Sequence, residues 1–66
     1  FHIEVEREED GRWIAEIPDL PGVMVYGSTL EQAVAAVKAL ALRVVAERLD
    51  EGEAVADLES VAFIAS

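Results

Sequence analysis

The chain contains no cysteine and a single histidine among its 66 residues. Without cysteine there can be no disulfides, thiolate metal ligands or cysteine nucleophiles, which agrees with a reducing compartment. A nucleophilic triad would need its base at His2, at the very start of the sequence. Ser28, Thr29 and Ser60 are better explained as cap and loop residues. We therefore expect no enzymatic activity and no cofactor.

Long apolar runs are also missing, since the longest are the five-residue stretches 33–37 and 61–65. A bilayer-spanning helix needs roughly 20 apolar residues, and no signal-like segment is present. We expect a cytoplasmic protein without membrane contact. A chain this short buries only about 60% of the surface that it exposes when unfolded, and oligomerisation would add buried area.

Basic residues are scarce: five lysines and arginines stand against fourteen acidic residues, for a net charge of −9. Such a charge repels a phosphate backbone or an anionic membrane surface, so we expect no direct nucleic-acid binding. It attracts a basic partner, including a protein that itself binds RNA or DNA. Solubility alone is the alternative explanation. Trp13 and Tyr26, without surrounding lysine or arginine, fit core or interface positions better than base stacking.

The many carboxylates raise the alternative of a metal-dependent nuclease, which needs several of them converging on one divalent ion. Glu4 and Glu6 share a strand face, but the third predicted strand has no acidic residue. Glu8, Glu9 and Asp10 surround a predicted turn. A solvated run of charge explains them better, and a residual hydrolase ranks last among the functions considered.

Alternating apolar and polar residues predict two strands at the start of the chain. Phe1, Ile3 and Val5 alternate with polar neighbours, and the second strand covers Arg12 to Ile17. Residues 9–11 suit a three-residue hairpin loop with Gly11 in the left-handed position.

This loop pairs Glu8 with Arg12 and thereby separates two faces of the sheet. The face predicted to meet the core carries Ile3, Val5, Trp13, Ala15 and Ile17. The opposite face carries the predicted partner-binding residues Glu4, Glu6, Ile14 and Glu16. Glu4 would oppose Glu16 directly, an unfavourable like-charge pair that folding alone does not require.

The remaining pattern predicts a strand, a helix and a strand. Pro18 to Gly22 breaks the ladder, and a third strand covers Val23 to Tyr26, with its inward face left open. A helix follows from Leu30 to Asp50, with Gly52 as its stop and a last strand over Val61 to Ala65. Either Ser28 or Thr29 caps the helix, paired with Glu31 or Gln32.

The predicted fold is therefore α+β with the order β-β-β-α-β, in a single domain over residues 1–66. A three-stranded antiparallel meander carries one long helix on one face. The predicted helix is about 31 Å long and the strands are roughly 20 Å long, so the helix should extend beyond its sheet. An apolar strand at the sheet edge and this overhang both favour a homo-oligomer, a dimer or tetramer.

The helix has two apolar stripes. The stripe assigned to the sheet contains Leu30, Val34, Val37, Ala41, Val44 and Val45. The other contains Ala35, Ala39, Leu42, Ala46 and Leu49. Its small residues would let a second helix approach closely, so Ala35, Ala39, Leu42 and Leu49 are the predicted self-association residues. The alternative is that alanine is there only because it favours helix formation.

Two stretches carry a family resemblance: Gly11-Arg-Trp-Ile-Ala-Glu-Ile-Pro-Asp-Leu-Pro-Gly22 and Tyr26-Gly-Ser-Thr-Leu-Glu-Gln-Ala33. In this order they resemble the amino-terminal domain of HicB-type antitoxins over most of the chain. The resemblance implies a partial ribonuclease-H-like fold without a nuclease's carboxylate site. It also implies binding to HicA, a small basic toxin that cleaves mRNA with a histidine.

Members of that family usually add a carboxy-terminal DNA-binding domain that represses the operon, and we expect none here. Val23 stands where many relatives have cysteine, which should matter little to folding. The leading hypothesis is thus an antitoxin that covers the RNA-binding surface of its toxin. The alternative is an orphan structural or regulatory homo-oligomer without a toxin.

Overall fold

The computed structural model describes residues 1–52 and 64–65. A four-stranded sheet with the order β3-β2-β1-β4 carries one helix on one face. The elements are β1 (His2–Arg7), β2 (Trp13–Glu16), β3 (Met24–Gly27), α1 (Leu30–Asp50) and β4 (Ile64–Ala65). The three-stranded antiparallel meander and the single helix of the predicted α+β fold are confirmed.

The hairpin between β1 and β2 has the predicted register. Glu4 lies opposite Glu16, and the Glu8 N–H donates to the Arg12 carbonyl at 2.7 Å. The loop closes through a 3.0 Å bond from the Gly11 N–H to the Glu8 carbonyl, with Gly11 at φ 90°. Glycine adopts this φ without steric cost, so the three-residue loop can form. The loop sets the register of the two strands, and the register decides which side chains face the helix.

The segment between β2 and β3 is part of the core. Leu20 is buried, and its N–H donates to the Ile17 carbonyl at 3.0 Å. The Asp19 carboxylate accepts from the His2 N–H at 3.2 Å, which ties the segment to the start of β1. The sequence indicated only that this segment breaks the ladder.

The helix begins at a capping arrangement of the expected kind. Thr29 is the N-cap, and its hydroxyl accepts from the Gln32 N–H at 3.1 Å. The Gln32 side-chain oxygen accepts in return from the Ser28 N–H at 3.2 Å. Gly52, at φ 81°, donates to the Leu49 carbonyl at 3.0 Å and ends the helix as predicted. Of the alternatives for the cap, the structure therefore has Thr29 with Gln32.

The buried helical face differs from the predicted stripe. Its fully buried residues recur every fourth position: Ala33, Val37, Ala41 and Val45. Ala33 was missing from the prediction, and Leu30 is only half-buried. Val34 and Val44 pack at the margin of the core rather than at its centre. The buried stripe differs from the predicted one because α1 packs mainly on β3 and β2. Small residues at this contact allow the backbone of α1 to lie close to the sheet.

Val25 of β3 faces the core, as does Val23 just before the strand, and this answers the question of the inward face that the sequence left open. Met24 and Tyr26 point away from the helix and are 49% and 48% exposed. The strand ends at Gly27, one residue later than predicted, and begins at Met24.

The last strand is short and pairs in parallel with β1, placing Ile64 opposite His2. Positions 61–63 of the predicted strand lie outside the described residues.

Gly27 is where the chain leaves the sheet and enters the helix. An ideal Cβ built on Gly27 would lie 2.5 Å from the backbone N and 2.9 Å from the Cα of Ala33. Gly27 does not adopt a positive φ, so this position needs glycine for space rather than for its conformational freedom. The absence of a side chain lets α1 settle on β3.

Replacing Gly27 by alanine should therefore displace the start of α1. We expect Gly27→Ala to lower the free energy of unfolding by about 1–3 kcal/mol, the usual cost of overpacking. Urea unfolding monitored by circular dichroism measures it. Ser28→Ala, at the exposed neighbouring position, is the control, and equal midpoints for the two variants would contradict the close-packing account.

Candidate functional site: the outer face of the sheet

The sheet face opposite α1, here called the outer face, brings the predicted partner-binding residues together. Cross-strand pairing sets Glu4 beside Glu16, and Glu6 beside Ile14. They line an open depression of about 360 Å³ together with Val5 and Glu8. Glu4, Glu6 and Glu16 are exposed, and Ile14 is half-buried among them. The hairpin register alone produces this cluster.

The charge of the chain is unevenly placed around the sheet. Residues 1–27 hold seven acidic and two basic residues, whereas Lys38, Arg43 and Arg48 belong to α1. The carboxylates of Glu4 and Glu16 occupy directly opposite positions, where like charges repel. A cation brought to the outer face would relieve that repulsion, so the face is electrostatically suited to a positively charged surface.

The arginine at the turn end of this face is already engaged. The Arg12 Nε donates to Asp10 Oδ2 at 2.7 Å, and the Arg12 backbone N–H donates to Asp10 Oδ1 at 3.0 Å. The Arg12 guanidinium carbon lies 4.5 Å from the centre of the Tyr26 ring, a cation–π arrangement. Tyr26 therefore has a basic neighbour, contrary to the expectation from the sequence.

These bonds shift the titration of Asp10. The backbone N–H of Arg12 contributes most to lowering the pKa of Asp10 below its usual 3.8, and the Arg12 guanidinium lowers it further. Both groups stabilise the carboxylate rather than the protonated acid.

The third strand adds an apolar part to the outer face. Tyr26 lies opposite Ile14, and Met24 lies opposite Glu16. The glutamates of β1 and β2 thus border an apolar patch formed by Ile14, Met24 and Tyr26. Protein interfaces combine an apolar centre with charged margins in this way.

The described residues 1–52 and 64–65 contain no group of three or more His, Asp or Glu that could hold a metal ion. Within the same residues, no helix is long and apolar enough to cross a membrane. Nor do they include a buried polar or charged side chain. The outer face itself carries exposed carboxylates around the half-buried Ile14.

Comparison with known proteins gives the family of the chain. The family described as HicB-like antitoxin of bacterial toxin-antitoxin system matches residues 1–66. The chain belongs to this family. No curated protein and no solved structure matches it. Membership in a HicB-like antitoxin family implies a toxin partner.

The second predicted site of this HicB-like chain lies elsewhere. Ala35, Ala39, Leu42 and Leu49 are all exposed on α1, so the structure does not bring them to the outer face. Leu42 and Leu49 are 50% and 45% exposed. Leu49 continues the four-residue step of the buried stripe beyond Val45, where the helix passes the end of its core contacts.

The Asp10–Arg12 contact of the HicB-like chain gives a pH prediction. Because the folded-state pKa of Asp10 is lowered, its contribution to stability is present above the unfolded-state pKa and is lost as pH falls through the folded value. Arg12→Gln removes the guanidinium but keeps the backbone N–H. We expect the Asp10 pKa to rise in this variant yet stay below its usual value.

Carbon-detected NMR titration of the Asp10 carboxyl measures this pKa. Arg43→Gln on α1 is the control and should leave the Asp10 titration unchanged. An identical Asp10 pKa in the wild type and in Arg12→Gln would show that the guanidinium does not act on the carboxylate.

Proposed function

We propose that this chain neutralises a small basic HicA-type toxin by covering the toxin's RNA-binding surface with the outer face of its sheet. The observation that supports this proposal most directly is the cluster of Glu4, Glu6 and Glu16 around Ile14, on the face of the sheet opposite α1. A surface that binds RNA is basic, so the same surface is complementary to these carboxylates.

The charges and the apolar residues have different roles in the proposed complex. Exposed carboxylates steer a basic partner toward the face and raise the association rate, an effect that salt screens over about 8 Å at physiological ionic strength. Ile14 lies at the centre of the cluster, where a residue removed from water contributes most to affinity. Glu4, Glu6, Ile14 and Glu16 are therefore the proposed partner-binding residues.

The proposed mechanism is occlusion rather than chemistry. The antitoxin occupies the place of the RNA phosphates on the toxin, and no bond is made or broken. It needs neither cofactor nor direct contact with nucleic acid, and it acts in the cytoplasm, where the toxin meets mRNA. The net charge of −9 agrees with this mode of action, because it disfavours RNA and favours the protein that binds RNA.

Reversing the charge of the outer face should abolish binding. We expect the triple variant Glu4→Lys, Glu6→Lys, Glu16→Lys to weaken toxin affinity at least about a hundredfold, since three attractive contacts become repulsive. The partner in this test is a small basic toxin of the HicA type, with its catalytic histidine replaced so that it can be produced. Isothermal titration calorimetry measures the affinity.

A matched triple, Glu47→Lys, Asp50→Lys and Glu51→Lys, changes the net charge equally on exposed positions at the end of α1. It should bind almost as tightly as the wild type. Equal weakening by both triples would mean that only total charge matters, and unchanged affinity of the outer-face triple would refute the assignment of the site.

A second candidate function is an orphan homo-oligomer, favoured by the exposed leucines of α1. Leu42 and Leu49, together with Ala35 and Ala39, form an apolar stripe on the face of α1 that is turned away from the sheet. Helices with small residues on their facing sides can pack closely. We propose these four residues as the self-association surface of a dimer or tetramer, which in an orphan chain would have no toxin partner.

Polar substitution of the leucines tests this assembly. We expect Leu42→Gln with Leu49→Gln to shift the oligomer to the monomer at micromolar concentration, measured by analytical ultracentrifugation. Met24→Gln, at a similarly exposed apolar residue on the outer side of the sheet, is the control and should keep the wild-type mass. An unchanged mass for the leucine variant would remove α1 from the interface.

A further inference from the structure

The backbone of the sheet presents polar groups at one edge. The bond from the Glu8 N–H to the Arg12 carbonyl marks a hydrogen-bonded pair between the first two strands. Such pairs alternate along an antiparallel ladder, so Glu6–Ile14 and Glu4–Glu16 are hydrogen-bonded pairs too. The backbone groups of Trp13 and Ala15 in β2 therefore face β3.

The same alternation fixes the third strand. The Ile17 N–H donates to the Val23 carbonyl at 3.0 Å, so the pairs Ala15–Val25 and Trp13–Gly27 continue the ladder. Val25 and Gly27 thus direct their N–H and carbonyl groups toward β2.

Met24 and Tyr26 must then direct their N–H and carbonyl groups away from β2. β3 is the last strand on its side of the sheet, and no described strand pairs with that side. The side chains of the same two residues are about half exposed on the outer face, at 49% and 48%. The edge therefore offers two backbone N–H donors and two carbonyl acceptors, spaced as a neighbouring β-strand requires. They lie beside the two apolar side chains of Met24 and Tyr26.

We propose that a β-strand of the basic partner protein pairs with this edge at Met24 and Tyr26 and extends the sheet. The inference rests on the proposed function and specifies how the partner is held. Main-chain bonds at the edge would set the register of the complex, while side chains of the added strand reach over the outer face toward the acidic cluster.

The composition of β3 supports strand addition. Met24–Gly27 contains no charged residue and no proline, two of the devices by which edge strands avoid pairing with other chains. Met24 and Tyr26 would be covered by a neighbouring strand, since opposite side chains on adjacent strands lie about 5 Å apart. β1 carries exposed glutamates, whereas β3 carries no charge that would oppose pairing with a further strand.

Charge decides which strand is added. A strand on this edge would lie about 10 Å from β2, where Glu16 is exposed beside Met24. Lysine or arginine side chains on that strand can approach this carboxylate. A second copy of the chain would instead bring another net charge of −9 to the same place. The complementary occupant is a strand of a basic protein.

Residue-resolved hydrogen exchange by NMR tests the pairing with unmodified chain. The probe is a histidine-inactivated small basic toxin of the HicA type. We expect the Met24 and Tyr26 amides to exchange at least about tenfold more slowly in the complex. The Val25 amide, directed into the existing ladder, is the internal reference.

Paired variants test the same contact by affinity. Met24→Pro removes the edge-facing N–H, which an edge strand tolerates, whereas Met24→Ala shortens the side chain and keeps the N–H. We expect the proline variant to bind about tenfold more weakly than the alanine variant, as loss of a main-chain bond implies. Circular dichroism melting checks that both variants fold. If the proline variant does not fold, the hydrogen-exchange experiment on the unmodified chain decides whether the strand is added.

The outcomes separate the inference from the function on which it rests. Tight, glutamate-dependent binding without slower exchange at Met24 and Tyr26 would overturn strand addition and leave the antitoxin function standing. Slower exchange that appears in the chain alone as its concentration rises would assign the edge to a second copy and overturn the inference. No toxin binding at all would overturn both.

Discussion

The register of the first hairpin is the constraint on which the rest of the structure depends. A three-residue loop with Gly11 at φ 90° pairs Glu8 with Arg12, and the ladder then follows along both strands. A slip of one residue would exchange the two faces of the sheet, burying glutamates and exposing Ile3 and Ala15. Both the core and the acidic cluster therefore depend on the same loop geometry.

The packing of α1 on one face of the sheet leaves the outer face without a helix among the described residues. Gly27 allows Ala33 to approach the sheet closely, and Leu20 fills the core from the connecting segment. A single helix can then cover the meander, and no described helix lies on the other side. Among the described residues, Glu4, Glu6 and Glu16 are exposed on that face, so charge is concentrated there. The like-charge opposition of Glu4 and Glu16 is unfavourable for folding and suits a cationic partner.

Local chemistry made much of this predictable. Strand alternation and the hairpin loop place Glu4, Glu6, Ile14 and Glu16 on one face, and cap signals set the helix ends at Leu30 and Asp50. The remainder depends on tertiary geometry. The burial of Ala33 follows from where α1 crosses β3, and the packing of Arg12 on Tyr26 follows from a register between β2 and β3 that no short loop specifies. Self-association and toxin binding involve a second molecule, so they remain predictions.

Inhibition of the toxin's RNA cleavage is the most direct test of the central claim, that this chain neutralises its toxin through the outer face. An active small basic toxin of the HicA type is mixed with increasing amounts of the chain, and cleavage of a labelled RNA is followed. The account predicts that cleavage stops near stoichiometric amounts and that excess RNA competes with the chain for the toxin. Undiminished cleavage at saturating chain, or inhibition that excess RNA cannot relieve, would contradict it.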